Sequence, residues 1–211
     1  MPSVTVTTKP VYGLGGPATP PHKVTVVQYA TAFPHFGGTL TLGAVPAVGS
    51  LLLAGSTGIQ NTAATISGGG ATWTQLVNAT SVETGQIWLG RVGAVPSAAV
   101  AFVQNDYATN WLIELRGPSW HTSIKSLAAS TNPIGLTNIP YAPTVQFLVF
   151  GTRYQSAVSV PSGWVQVLNQ RDYFAGFTYN TTIVAYRLVS VPSVSFALGT
   201  EGHIIASLGL Y

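Results

Sequence analysis

The chain has 211 residues, of which only 6% are charged and 46% are hydrophobic. Ordinary soluble domains carry about 25% charged residues, so hydroxyl, amide and glycine groups must cover much of this surface. The net charge is +3, but the Lys and Arg residues are scattered singly and no basic run could follow a phosphate backbone, which argues against nucleic-acid binding. The chain has no cysteine, which excludes disulfides, thiolate nucleophiles and Cys-bound zinc.

The low charge predicts that the protein works inside an assembly. Chains with so few charges tend to associate, and Lys is the residue that commonly protects exposed strand edges. Only Lys9, Lys23 and Lys125 are present, so neighbouring subunits or sheet closure must cover most edges. A monomer kept soluble by its hydroxyl groups is the alternative.

The N-terminal segment predicts neither a secretory signal nor a membrane span. It lacks a basic stretch followed by an apolar core, and the longest mostly apolar stretch of the chain, 43–55, is shorter than the roughly 20 residues that cross a bilayer. We expect a soluble protein that is either cytoplasmic at synthesis or exported without a cleaved signal. Residues 1–22 predict an extended arm, since five prolines interrupt any strand ladder: Pro2, Pro10, Pro17, Pro20 and Pro21. A partly ordered tail is the alternative.

The rest of the chain predicts an all-β fold. Short runs rich in Val, Ile, Thr and aromatic residues alternate with Gly, Pro, Asn and Ser clusters, and no apolar spacing of helical period is sustained. The first series of predicted strands lies at 24–32, 38–43, 50–56, 72–80, 86–92, 98–103 and 110–117. The second series lies at 123–130, 134–139, 144–152, 163–170, 181–189, 193–199 and 203–211.

The two series predict an internal duplication, because several motifs recur in the same order. WTQLVN in the first series matches WVQVLN in the second, and IWLGRVGAVPS matches IVAYRLVSVPS. The matches divide residues 23–211 into pseudo-repeat halves at 24–117 and 123–211. They pair Trp73 with Trp164, Arg91 with Arg187, and Pro96 with Pro192.

The duplication predicts an antiparallel, jelly-roll-like sandwich of two similar halves with about seven short strands each. Such halves can interleave in one body or form two tandem sandwiches. We expect interleaving, because only 117–123 separates the halves and Trp120 makes this segment a poor flexible linker.

The ionisable residues predict neither an enzyme nor a cofactor or metal site. The five acids are distant from one another in sequence: Glu83, Asp106, Glu114, Asp172 and Glu201. Glu201 and His203 could share one strand face, although a solvent-exposed pair at a loop edge is the simpler interpretation. A hydrolase requires distant carboxylates to converge in a cleft.

The aromatic residues are divided between core and surface. Trp73 and Trp164 could stack on sugar rings, but their equivalent positions favour core or near-core anchors. Arg91 and Arg187 are expected to bond to local carbonyls or a carboxylate. An exposed contact surface is predicted from five other aromatic residues: Trp88, Trp111, Trp120, Tyr173 and Phe174.

The repeated pattern resembles a family. An apolar GSLLLAGS-like strand is followed by Gly-x-x-Trp, an Arg-bearing strand, a VPS turn and a closing apolar strand, and residues 24–211 resemble the two-half β-sandwich modules of bacteriophage virion proteins. The resemblance implies a virion structural protein without catalysis or cofactor that binds a capsid or tail lattice, often as a homo-oligomer such as a trimer. We expect a capsid decoration or cement protein, and the alternative is a tail-fibre or tail-tip module that binds host glycan.

Overall fold

The structure is a computed structural model that describes residues 24–33, 37–58, 64–79, 84–104, 107–117, 122–129, 134–139, 145–152, 158–174, 177–188, 191–196 and 203–210. In these residues the regular elements are fifteen β-strands, and every strand pairing is antiparallel. The predicted all-β sandwich class is confirmed, while jelly-roll closure stays a prediction. None of the described residues belongs to a helix long and apolar enough to span a bilayer.

The strands are described in two sets, which we call the first half and the second half. The first half contains β1 (Thr25–Ala32), β2 (Gly38–Thr41), β3 (Leu51–Gly58), β4 (Ala64–Gly68), β5 (Ala71–Ala79), β6 (Thr84–Val92), β7 (Ala99–Gln104) and β8 (Ala108–Arg116). The second half contains β9 (Thr122–Ala129), β10 (Ile134–Leu136), β11 (Val145–Thr152), β12 (Val165–Phe174), β13 (Phe177–Arg187), β14 (Val194–Phe196) and β15 (His203–Leu210).

The sheet topology repeats between the halves. The large sheet of the first half has the order β1-β8-β3-β6-β5, and that of the second half has the corresponding order β9-β15-β11-β13-β12. A small sheet accompanies each large one, with orders β2-β7-β4 and β10-β14. Each described sheet contains strands of one half only. The halves therefore do not interleave, contrary to our expectation. They form two sandwiches in tandem.

The four sheets enclose three apolar cores. In the first half a core including Leu52, Trp88 and Phe102 lies between the large and small sheets, and in the second half Leu148 and Phe150 belong to the equivalent core. A third core joins the halves, because the two large sheets pack face to face and β3 lies against β11 and β13. The large sheets are therefore buried on both faces, which explains the continuous apolar runs of β3 and β8.

Two tryptophans that were predicted to form an exposed contact surface are buried, so that prediction is wrong for both. Trp111 is 1% exposed in the core between the halves, where its ring covers Gly55 so closely that a Cβ there would lie 2.2 Å from the ring. Trp88 is buried in the first-half core and makes an edge contact with Phe102. Trp120 and the side chains of Tyr173 and Phe174 lie outside the described residues.

A buried polar cluster, here called the polar seam, crosses the junction of the halves. It consists of Thr57, Thr109, Asp172, Asn180 and Thr182. Asn180 Nδ2 donates to the Thr57 carbonyl oxygen at 2.6 Å and to Thr109 Oγ1 at 2.9 Å. Thr57 also shares a hydroxyl hydrogen bond with Thr182, and Thr109 donates to the Asp172 carboxylate. The seam satisfies polar groups where the two apolar sheet faces meet.

Candidate functional site

A groove in the second half is the first candidate site in the described part of the chain. It has a volume of about 570 Å³ and lies between the end of β10, the turn before β12, the end of β13 and β14. Its floor includes the apolar side chains of Leu136 and Val194, and its rim carries four exposed or partly exposed hydroxyl groups: Thr137, Ser162, Ser193 and Ser195. We call this site the Trp164 groove.

The turn at 161–164 positions the indole. Gly163 adopts φ +82°, a left-handed conformation that suits glycine, and the Trp164 amide donates to the Pro161 carbonyl at 3.3 Å. On the opposite side, Asn138 adopts φ +52° just after β10, in the conformation that Asn tolerates better than most residues. These turns place the half-buried Trp164 ring beside the end of β13.

Arg187 gives the groove its charge. Its guanidinium carbon lies 5.5 Å from the centroid of the Trp164 ring, which is a cation–π distance. Arg187 Nε is buried without a hydrogen-bond acceptor among the described residues. Of the described residues that line the groove, Arg187 alone carries a formal charge. The sequence predicts a bond from Arg187 to a local carbonyl or carboxylate, but its Nε makes no such bond to the described residues.

The equivalent tryptophan of the first half, Trp73, packs against neighbouring glycines of its own half. Trp73 donates Nε1 to the Gly68 carbonyl at 3.0 Å, and its ring covers Gly90 so that a Cβ there would lie 2.8 Å from the ring. Trp73 packs against the first-half core, and Trp164 packs against the second-half core. Both are near-core positions, and Trp164 also borders the groove.

The strand registers explain why the halves differ here. Each tryptophan lies three residues before a β-bulge, and these bulges fall at Leu76 and Val167. After the bulge, Val77 of β5 pairs with Ile87 of β6, and Leu168 of β12 pairs with Val184 of β13. Residues of β13 are therefore equivalent to residues of β6 whose numbers are lower by 97, because 184 − 87 = 97. This offset aligns Gly90 with Arg187.

The sequence motif aligns Arg91 with Arg187, whereas the strand registers align Arg187 with Gly90, one residue earlier. A one-residue shift turns a side chain to the opposite face of a strand. Arg91 is exposed at the end of β6, away from any tryptophan contact, whereas Arg187 faces Trp164. The aligned prolines lie in equivalent loops: Pro96 contacts the turn at Gly70, and the Pro192 carbonyl accepts from the Ile139 amide at 2.9 Å.

An exposed apolar surface at one end of the first half is the second candidate. Val45, Val48 and Val95 are 57%, 64% and 82% exposed, and together they form what we call the valine patch. Their two loops lie side by side, because the Gly49 amide donates to the Val92 carbonyl at 2.9 Å. The neighbouring exposed residues Ala44, Ala47 and Ala94 are also apolar.

Buried hydrogen bonds hold the valine patch in place. Glu114 is fully buried and accepts from Gln28 Nε2 at 2.7 Å, Ser50 Oγ at 2.8 Å and the Ala47 amide at 3.2 Å. Gln28 in turn binds both backbone polar groups of Ala44 at 3.0 Å. The loop that presents Val45 and Val48 is therefore anchored to the large sheet on both sides of these valines.

The described ionisable residues do not form a cluster that could hold a metal ion. No group of three or more His, Cys, Asp or Glu occurs within the part of the chain that the structure describes. Asp172 lies in the polar seam, where burial raises the pKa of its carboxyl despite hydrogen bonds from Thr109 and Gln170. Asn180 begins an N-x-T sequon but is 2% exposed, so the folded chain cannot present it for glycosylation.

Comparisons with known proteins leave the family of the chain open. No protein-family model, no curated protein and no solved structure matches it. The interpretation of its function therefore depends on the groove, the valine patch and the composition of the chain itself.

Proposed function

We propose that the chain is a non-enzymatic structural subunit of a bacteriophage virion, a capsid decoration or cement protein that acts through protein–protein contacts. The valine patch carries this proposal. Large exposed apolar side chains that are grouped together are typical of interaction surfaces, whereas single exposed apolar residues are ordinary. Here three valines and three alanines lie on two adjacent loops, and hydrogen bonds to Gln28 and Glu114 fix the loop that carries Val45 and Val48.

The low charge of the chain supports the same proposal. With 6% charged residues, little electrostatic repulsion opposes association. The outer strands β1, β5, β9 and β12 of the large sheets have one neighbour each within the described sheets. A lattice or a second copy would gain stability both from the buried apolar area and from backbone hydrogen bonds at these edges.

Sedimentation velocity of the full chain tests this role. We expect wild-type protein to form a homo-oligomer as its concentration rises, and Val45→Ser/Val48→Ser/Val95→Ser to shift the distribution toward the monomer. The control is Val103→Ser/Leu188→Ser, which alters two exposed apolar residues that lie outside the patch and outside the outer strands. A wild-type chain that stays monomeric, or a control that dissociates the oligomer equally, would contradict the role of the patch.

A second candidate is a tail-fibre or tail-tip module that recognises a host glycan, and the Trp164 groove favours it. The groove has a volume typical of small-ligand sites and combines an aromatic ring, a charge and several hydroxyl groups. A glycan array probed with the wild-type chain and with Trp164→Ala tests this candidate. Binding that the substitution abolishes would support it, and an array without bound glycan would refute it.

A further inference from the structure

We propose that the Trp164 groove binds a sugar residue that carries a carboxylate, such as a hexuronic acid. The inference rests on the second candidate function and narrows it to a class of ligand. Three features of the groove lead to it: an arginine without an acidic partner among the described lining residues, a set of hydroxyl groups that line the same groove, and an apolar wall.

The charge of Arg187 indicates an anionic ligand. None of the described groove-lining residues is acidic, so the guanidinium has no carboxylate partner among them. The Trp164 ring lies beside the guanidinium, which restricts its orientation. Arg187 Nε is buried, so a ligand in the groove would meet the terminal nitrogens instead. A carboxylate can accept from both terminal nitrogens of Arg187 together, in the paired geometry that arginine favours.

The hydroxyl groups and the apolar wall indicate that the carboxylate belongs to a sugar. Thr137, Ser162, Ser193 and Ser195 can each donate to and accept from sugar hydroxyls. Leu136 and Val194 offer apolar surface to the C–H groups of a pyranose ring. A simple inorganic anion would use Arg187 but neither of these features. The volume of about 570 Å³ lies within the range for small-ligand sites.

The first half provides an internal comparison. Gly90 occupies the position equivalent to Arg187, and the Trp73 ring covers that glycine. The described first half therefore has no charge at this position. Arg91, one residue further along, is exposed and is not among the residues that line the groove, which makes it a matched control for the loss of one positive charge.

Isothermal titration calorimetry of the full chain tests the inference with two probes that differ only in the carboxylate. The probes are the methyl glycosides of galacturonic acid and of galactose. We expect galacturonate to bind at least about tenfold more tightly than galactose, because only the acid can pair with Arg187. Arg187→Gln should weaken galacturonate binding by about tenfold or more, whereas Arg91→Gln should leave it unchanged.

Arg187→Lys is the second variant, for the case in which Arg187→Gln fails to fold, as judged by circular dichroism. It retains the positive charge but loses the planar fork, so we expect about fivefold weaker galacturonate binding.

Equal binding of both probes would overturn the inference about the carboxylate and leave glycan recognition standing. The inference is also overturned if neither probe binds, and the glycan array then decides whether any glycan is recognised. Equal loss in Arg187→Gln and Arg91→Gln would overturn the assignment to the groove.

Discussion

Asn180 of the second half donates its side-chain amide to the carbonyl oxygen of Thr57 in the first half, at 2.6 Å. This hydrogen bond crosses between the two large sheets at the polar seam, where Asn180 is 2% exposed. The same nitrogen lies 2.9 Å from Thr109 Oγ1 and 3.3 Å from Thr182 Oγ1. One side chain therefore links β3, β8 and β13, and the halves depend on each other for polar satisfaction as well as for their shared core.

Replacing Asn180 should destabilise the whole chain. Asn180→Ala leaves the Thr57 carbonyl without this donor in a buried position, and we expect the free energy of unfolding to fall by about 2–3 kcal/mol. Urea denaturation measures it. The control is Asn169→Ala, because Asn169 is exposed and donates only to the Val158 carbonyl in its own half, and we expect a loss below about 1 kcal/mol. Equal losses would argue against the seam as a link between the halves.

The buried carboxyl of Asp172 predicts a dependence of stability on pH. Burial raises its pKa in the folded state, so between its ordinary pKa and the raised value the folded chain binds more protons than the unfolded chain. The contribution of Asp172 to stability is therefore greatest at low pH and declines as the pH rises through the raised pKa.

Asp172→Asn should remove this decline, because the amide does not titrate. The urea midpoints of both proteins are measured between pH 3 and pH 8. The difference between the two midpoints at each pH removes the contribution of the other titrating groups. We expect the wild-type midpoint to fall relative to the variant as the pH rises, and then to become level. A constant difference across the range would show that Asp172 does not titrate in this interval.

Glu114 should control the order of the valine patch. All hydrogen-bond partners of the Glu114 carboxylate are donors. The Gln28 side chain cannot turn round without losing its two bonds to the Ala44 backbone. In Glu114→Gln, the new side-chain NH2 group therefore faces another donor. We expect the free energy of unfolding to fall by about 1–3 kcal/mol and the Ala47 amide to exchange faster with deuterium. Arg116→Gln is the control. Arg116 contacts the same carboxylate but its side chain is 53% exposed, so we expect a loss below about 1 kcal/mol.

The core between the halves should contribute strongly to stability. Phe147 is fully buried there, beside Tyr186 at a ring separation of 5.9 Å. Phe147→Ala should lower the free energy of unfolding by about 3–5 kcal/mol, because it removes apolar contact and leaves a cavity. Val103→Ala, at a 65% exposed site, should change it by less than about 0.5 kcal/mol. Calorimetry compares the variants, and a small effect of Phe147→Ala would mean that the two large sheets are not tightly packed.

The sequence predicts the strands of this fold well, because period-2 patterns and Gly/Pro punctuation act locally. Each predicted strand has a counterpart in the structure, whereas β4 at Ala64–Gly68 escaped prediction because its short run leads into three glycines that indicate only a turn. The packing of the halves was harder to predict. The continuous apolar runs LLLA in β3 and WLI in β8 are the signal of strands buried on both faces. That signal would have placed Trp111 in a core rather than on a surface.

The candidate groove could not be predicted from sequence, because it depends on a one-residue difference between two similar motifs. Arg91 and Arg187 align by their flanking residues, but the strand registers align Arg187 with Gly90. Register is set by tertiary pairing and by the bulges at Leu76 and Val167, which leave no reliable local mark in the sequence. The valine patch likewise requires two loops distant in sequence to lie side by side.

Electron cryo-microscopy of phage particles purified from a culture that expresses this gene tests the proposed virion role most directly. We predict repeated density for the tandem sandwich on the particle, with the loops that carry Val45, Val48 and Val95 buried against a neighbouring protein. Particles that lack the chain on head and tail alike would contradict the proposal.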